Sequence, residues 1–364
     1  MRIGILSMQR VINYGSFLQS FALKTEMEKR GHEVVFVDIE KKQGYVPVRK
    51  SKLQIKLEKA KYIDRYFFRR VKDSKKNTLL NEVLYKAQKD YLKLTDGNMT
   101  ARGCDAVIIG SDEIFNCSPE SVWGINAQRF GDIPDVSKTV SYAASCGYTA
   151  VGDMGDEDKE IVASALKKLS VVSVRDDNTR DFVKTLADIE PEMNLDPVLI
   201  YDFEKEIAQG EKEGYPDYPY MVVYAYHNRI DSKKEINAIR RYAKENGLKT
   251  IAIGGSLPWC DDFAVISPFQ VLAYFKHASC IVTDTFHGSV IAAKLNKPLG
   301  VLVRESNANK LDDLLKRLKI EKHKASEPDM LKNALNCVDN YEECNEIVAR
   351  EAEHAQKVFD KAGF

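Results

Sequence analysis

Short apolar runs of four or five residues alternate along this chain with longer segments whose apolar positions recur every three or four residues. That alternation predicts βα units and a parallel sheet. In the first half, strands are predicted at Ile3–Leu6, Val34–Val37, Ala106–Ile109, Thr139–Tyr142, Val171–Val174 and Val198–Ile200. The first helix is predicted from near Ser16 to Gly31, where glycine ends it. The polar stretch Glu204–Tyr218, with two glycines and Pro216, then interrupts the rhythm and reads as a linker. After it, strands are predicted at Tyr220–Tyr224, Thr250–Ile253, Cys280–Thr283 and Leu299–Val303. Helices are predicted at Ser232–Asn246, Pro268–His277, Ser289–Leu295 and Lys310–Leu318.

The pattern predicts an α/β fold of two Rossmann-like domains facing a cleft. Residues 1–203 form the first domain, 204–218 the linker and 219–335 the second. Residues 336–364 hold a last helix, Asn340–Lys361, expected to pack back on the first domain through Ile347, Val348, Ala352, Ala355, Val358 and Phe359.

The segment 41–94 breaks the rhythm as a helical, basic insertion in the first domain. Between Arg49 and Lys76 stand twelve Lys or Arg and three acids, and Leu53, Leu57, Ala60, Ile63 and Phe67 recur at helical spacing. Two readings apply: a surface that meets an anionic glycan or lipid head groups, or a solvated face over an apolar stripe.

Composition narrows the function. At 364 residues and 44% hydrophobic, the chain buries a large core without disulfides. Lys plus Arg equals Asp plus Glu at 54 each, which gives no support to a nucleic-acid role. Seven cysteines without a C-x-x-C pair, and six histidines without a short-spaced pair, lead us to expect no metal site. No apolar run reaches the length of a membrane span, so a cytoplasmic protein is expected, with peripheral contact at the inner membrane face through 49–76.

Four polar segments follow apolar strands, where α/β sheets bind ligands. Thr283-Asp284-Thr285-Phe286-His287-Gly288-Ser289 opens a helix. There His287 is placed for acid–base work and Gly288 for close approach of a ligand, or else Asp284 caps the helix and His287 is a hydrogen-bonded core residue. In Gly110–Asn116, Asp112 and Glu113 are placed to hold a sugar hydroxyl, or Asp112 simply caps a turn. Asn13-Tyr14-Gly15-Ser16 is a glycine-containing turn without a nucleotide fingerprint, and a plain cap at Ser16 also accounts for it. Arg175 ends a strand, where its fork suits a carboxylate or phosphate, or a salt bridge to Asp176 or Asp177.

Taken in order, Asn13-Tyr14-Gly15 with Leu18-Gln19, Gly110–Asn116, Ser141–Ser145, Ser173-Val174-Arg175, Asp196-Pro197-Val198 and Thr283–Gly288 resemble the polysaccharide pyruvyl transferase family. The resemblance runs from about Gly4 to about Leu318. It implies a fold like the GT-B glycosyltransferases and transfer of pyruvate from phosphoenolpyruvate to two sugar hydroxyls as a ketal. It implies no cofactor, and a glycan or lipid-linked sugar as acceptor. It casts His287 and Asp112 as catalytic and Arg175, Thr285, Gly288 and Ser289 as donor-binding. Asn13, Tyr14, Glu113 and Asn116 fall on the acceptor side. Where members of the family often carry Arg-Leu-His, this chain has Thr285-Phe286-His287, which assigns the missing donor cation to Arg304 or Lys310. Two other functions suit the same fold: a nucleotide-sugar glycosyltransferase, and a non-catalytic glycan-binding protein.

Overall fold

The computed structural model describes residues 1–40, 67–118, 121, 123–227, 229–304, 307–337 and 341–364. They divide into two compact units.

The first unit comprises the described residues of Met1–Pro47, Gln88–Asp202 and Asn345–Phe364. Its chain runs β1 (Arg2–Leu6), α1 (Tyr14–Lys29), β2 (Glu33–Val37), the end of α2 (Phe67–Leu92), β3 (Ala106–Ile109), β4 (Thr139–Ser141), α3 (Asp156–Leu166), β5 (Ser173–Val174), α4 (Asp177–Ala187), β6 (Glu192–Met193) and α5 (Pro197–Ile200). All strand pairs are parallel, in the order β2-β1-β3-β4, with Ile5 opposite both Phe36 and Ile108. Single bridges from Val140 to Val171 and from Ala144 to Val174 carry the sheet on to the β5–β6 pair. β1 and β3 are covered on both faces, hence the continuous buried runs Ile3–Leu6 and Ala106–Ile109. Successive connections leave β1 in opposite directions toward β2 and β3, so the switch point lies between β1 and β3. The core beneath holds Leu6, Val107, Ile109 and Phe182, with Phe115 and Phe130 stacked at 5.1 Å.

The last helix, α12 (Glu342–Lys361), contributes its residues from Asn345 onward to this unit. Phe359 packs on Tyr142 at 4.6 Å between ring centroids, and Arg30 binds Asp360 at 2.8 Å.

The second unit comprises the described residues of Val48–Ala87 and Phe203–Cys344. After α6 (Glu204–Glu213) come β7 (Tyr220–Tyr224), α7 (Lys233–Glu245), β8 (Lys249–Ile253), β9 (Asp262–Phe263), α8 (Pro268–His277), β10 (Cys280–Thr283), α9 (Phe286–Lys294), β11 (Leu299–Leu302), α10 (Ala308–Arg317), β12 (Lys324–Ala325) and α11 (Leu331–Leu335). Its strands are parallel in the order β12-β11-β10-β7-β8-β9, a Rossmann order whose switch point lies between β7 and β10.

Three expectations need correction. Val198–Ile200 is not a strand but lies in the short helix α5: Asp196 caps it by accepting from the Val198 N–H at 3.0 Å, and Pro197 starts it. Glu204–Tyr218 is not simply a linker, because Glu204–Glu213 is the helix α6. Gly210 supplies close approach there rather than flexibility, since a Cβ on it would stand 2.2 Å from the Phe269 carbonyl oxygen of α8. The basic insertion does not belong to the first domain over its described part: Phe67–Ala87 groups with the second unit. Buried Asp73 accepts from Ser256 at 2.6 Å, and Lys76 reaches Asp262 at 3.0 Å. Positions 49–66, and most of the apolar stripe expected with them, lie outside the described residues.

Candidate active site

In the first unit, a polar cluster gathers where β1 and β3 end. The Asn13 Oδ1 accepts from the Ser16 N–H at 2.7 Å, so Asn13, not Ser16, caps α1. That frees the Ser16 hydroxyl to donate to Asp112 Oδ2 at 2.8 Å. Asp112 itself stands at φ 68°, a left-handed conformation that non-glycine residues adopt mainly at sites that need it. Its other oxygen accepts from the Glu113 N–H at 2.9 Å and from Arg175 at 3.4 Å.

Arg175 is 4% exposed and also binds Asp196 at 2.9 Å, with Asp176 at 4.0 Å. Burial works against its charge, but Asp112, Asp196, Asp176 and Glu113 outweigh burial and raise its pKa above the ordinary arginine value. Ser111 completes the support by donating to Asp196 at 3.2 Å. Beside this cluster, Asn116 donates to Glu113 at 2.8 Å and accepts from the Ser118 N–H at 2.8 Å.

In the second unit, β10 delivers the chain into α9. Thr285 caps that helix, its Oγ1 accepting from the Gly288 N–H at 3.0 Å. The Thr283 hydroxyl donates to the Tyr224 carbonyl at 2.7 Å and so ties β10 to β7. A Cβ on Gly288 would stand 2.2 Å from Thr283 Oγ1, so only glycine lets this turn close. Ser289 donates to the Thr285 carbonyl at 3.0 Å. His287 sits in the first turn of α9, 5% exposed, edge-on to Phe286 at 5.4 Å between ring centroids.

Next to this turn, Asp284 is wholly buried and its Oδ2 accepts from Arg229 Nε at 2.9 Å and from an Arg304 amino group at 2.7 Å. Arg304 turns its remaining donors on Glu235 at 2.8 and 3.1 Å. Burial again opposes the Arg304 charge, and the Asp284 and Glu235 carboxylates raise its pKa above the usual value. Asn307 locks the assembly, accepting from the Arg304 N–H at 2.6 Å and donating to the Asp284 carbonyl at 3.0 Å. Arg229 is different: its side chain is 40% exposed, and the described contacts engage only its Nε.

The structure gathers the expected site residues into two clusters. Asp112, Ser16, Asn13, Arg175 and Glu113 meet in one cluster of the first unit, and His287, Thr285, Gly288, Ser289 and Arg304 meet in one of the second. Tyr14, expected on the acceptor side, is fully buried. Arg175, expected on the donor, is enclosed by the carboxylates of Asp196, Asp112 and Asp176. Thr285, Gly288 and Ser289 build the helix turn with their own hydrogen bonds. Arg304, the suggested replacement cation, is committed to Asp284 and Glu235. Lys310 lies in the first turn of α10, half-buried. Arg229 was missed, although it follows the strand Tyr220–Tyr224 by only a few residues. Applying the strand-end rule to the second unit's first strand would have found it. Among the described residues, no group of three or more His, Cys, Asp or Glu is placed to hold a metal.

Two Rossmann-like α/β units, each with its polar cluster at the carboxyl ends of the switch-point strands, define a GT-B-like protein. UDP-N-acetylglucosamine 2-epimerase from Rickettsia bellii aligns with a TM-score of 0.51 at 11% identity, over 99% of this chain and 96% of that one. The UDP-GlcNAc 2-epimerase from Methanocaldococcus jannaschii aligns with a TM-score of 0.50 at 10% identity, over 98% and 100%. At such identity these likenesses show the fold alone. No curated protein matches the chain. The family model of the polysaccharide pyruvyl transferases matches residues 13–306, and the chain belongs to that family, a family of transferases.

Proposed function

We propose that the protein moves pyruvate from phosphoenolpyruvate onto two hydroxyls of a sugar, forming a ketal and releasing phosphate. The observation that carries this reading is that the family match, residues 13–306, contains both clusters from Asn13 to Arg304. In the proposed reaction a first sugar hydroxyl bonds to C2 of the donor while the methylene carbon gains a proton. The C–O bond to phosphate breaks, and a second hydroxyl takes its place. Of the two hydroxyl protons, one is balanced by the new methyl group and the other leaves on phosphate.

Each cluster suits one part of this scheme. His287, at a strand's carboxyl end, is the acid that delivers a proton to the methylene carbon. Arg229, half-open and beside the positive end of α9, takes the donor's carboxylate or phosphate. It supplies the cation that Thr285 leaves out of the family pattern. Asp112, held by Ser16 and Arg175, accepts a hydrogen bond from the acceptor hydroxyl and orients it. The acceptor is a glycan or a lipid-linked sugar, and the reading sets the enzyme in the cytoplasm, with contact at the inner membrane face through its basic segment. Among the described residues, no helix is long and apolar enough to cross a membrane.

The test is phosphate release from phosphoenolpyruvate in the presence of candidate glycans. Mass spectrometry of the glycan should show a gain of one pyruvate less one water. A glycan panel that yields neither phosphate nor that gain, with transfer from a nucleotide sugar instead, would replace this reading by glycosyl transfer.

A further inference from the structure

At the carboxyl edge of the first unit, beside the Asp112 cluster, a pocket of about 240 Å³ opens between the ends of β1 and β2. It is lined by Ser7–Arg10 after β1, Asp38 and Ile39 after β2, and by Asn98 and Trp123. Hydrogen bonds tie its walls together. Gln9, 1% exposed, accepts from the Ser7 N–H at 2.9 Å and donates to the Val37 carbonyl at 2.8 Å. Arg10 and Asp38 form a forked ion pair, and Asp38 also accepts from the Met99 N–H at 2.8 Å. Ser7 joins the pocket to the site already described: its hydroxyl donates to the carbonyl of Ser111, the residue before Asp112, at 3.3 Å.

Of the other lining residues, Met8 and Ile39 belong to the apolar core or pack against it, and Trp123 and Asn98 carry polar groups not used in this way. Trp123 is half-buried, and its indole N–H donates to none of the described residues. Asn98 is exposed and its amide makes no hydrogen bond to them. An aromatic face with a free N–H, next to an amide that both donates and accepts, suits a ligand with an apolar ring face and hydroxyls at its edge. The volume equals about eight waters of liquid, room for one sugar ring rather than a run of several.

We propose that this pocket is the subsite for one pyranose ring of the acceptor, stacked on Trp123 and hydrogen-bonded by Asn98. The proposal rests on the pyruvyl-transfer reading for its place in a reaction, but sugar binding here is measurable without turnover. The chain has two tryptophans, Trp123 and Trp259. Trp259 is 5% exposed and bonded to the Ile230 carbonyl, so Trp259→Phe leaves Trp123 as the sole tryptophan, read with red-edge excitation that tyrosine does not absorb. That variant is titrated with methyl β-glucoside, methyl β-galactoside and methyl N-acetyl-β-glucosaminide. A saturable change in emission with at least one of them, weakened by Asn98→Ala, supports the subsite. No change with any of the three overturns it.

Should Trp259→Phe not fold, kinetics decide alone. In the otherwise unaltered protein, Trp123→Ala should raise the acceptor KM about tenfold, with the phosphoenolpyruvate KM within about twofold, and Trp123→Phe should restore most of the loss. An unchanged acceptor KM in Trp123→Ala, with ketal still formed, removes the subsite and leaves the reaction standing. Saturable binding of a glycoside without phosphate release from phosphoenolpyruvate removes the reaction and leaves the subsite standing.

Discussion

Replacing Arg175 by alanine withdraws the cation that faces Asp196 at 2.9 Å, Asp112 at 3.4 Å and Asp176 at 4.0 Å. Asp196 is 1% and Asp176 4% exposed, so neither carboxylate gains enough water to replace the lost partner. Breaking a buried pair on one side costs about 3–5 kcal/mol, because a charge stays behind unpaired. For a protein unit of this size, each kcal/mol moves the melting point by about 2–4 °C. The expected fall is therefore roughly 6–20 °C. Arg175→Lys keeps the charge but loses the fork, and should fall less. Thermal melts by circular dichroism, with urea titrations beside them, measure both. An Arg175→Ala protein that melts like the unaltered one, yet shows a raised phosphoenolpyruvate KM, would refute the assignment and return Arg175 to the donor.

Other outcomes follow from the same geometry. His287→Ala should lower turnover by about 10²–10⁴ while the melting point holds near its original value, read by phosphate release and circular dichroism. Arg229→Ala should raise the phosphoenolpyruvate KM about tenfold or more with little change in melting, because its side chain is 40% exposed and Arg304 still pairs with Asp284. Burial pushes the thiols of Cys117 and Cys280 up to about 12 and raises that of Cys104, with a further rise at Cys146, so these groups stay protonated at pH 8. Native protein treated with a thiol reagent at that pH should react first at half-buried Cys337, and at those four only after unfolding.

Much of this was legible before the structure because apolar runs mark strands and polar residues mark their ends. That rule alone led to Asp112 and His287, and the two sheets place both residues beside switch points. It failed where the same composition serves two geometries. The apolar triplet Val198–Ile200 reads as a strand, but Asp196-Pro197 before it is a helix start. Gly210 reads as linker flexibility, whereas it admits the backbone of α8. Spacing also says nothing of depth. Arg175 and Arg304 each follow a strand and carry a fork, so both read as ligands for an anion. In the structure both pair with carboxylates, Arg175 buried and Arg304 half-buried. Arg229, close after Tyr220–Tyr224, carried no family block around it, and only its half-open place beside Asp284 singles it out.

The most direct test of pyruvyl transfer is to run the reaction in D₂O and examine the product by NMR. Phosphoenolpyruvate and a glycan acceptor are incubated with the enzyme, and the modified sugar is isolated. If the methylene carbon is protonated as proposed, the ketal methyl group carries one deuterium, and phosphate appears in equal amount. A product that retains a vinyl group, or a modified sugar formed without phosphate release, would contradict the account at its centre.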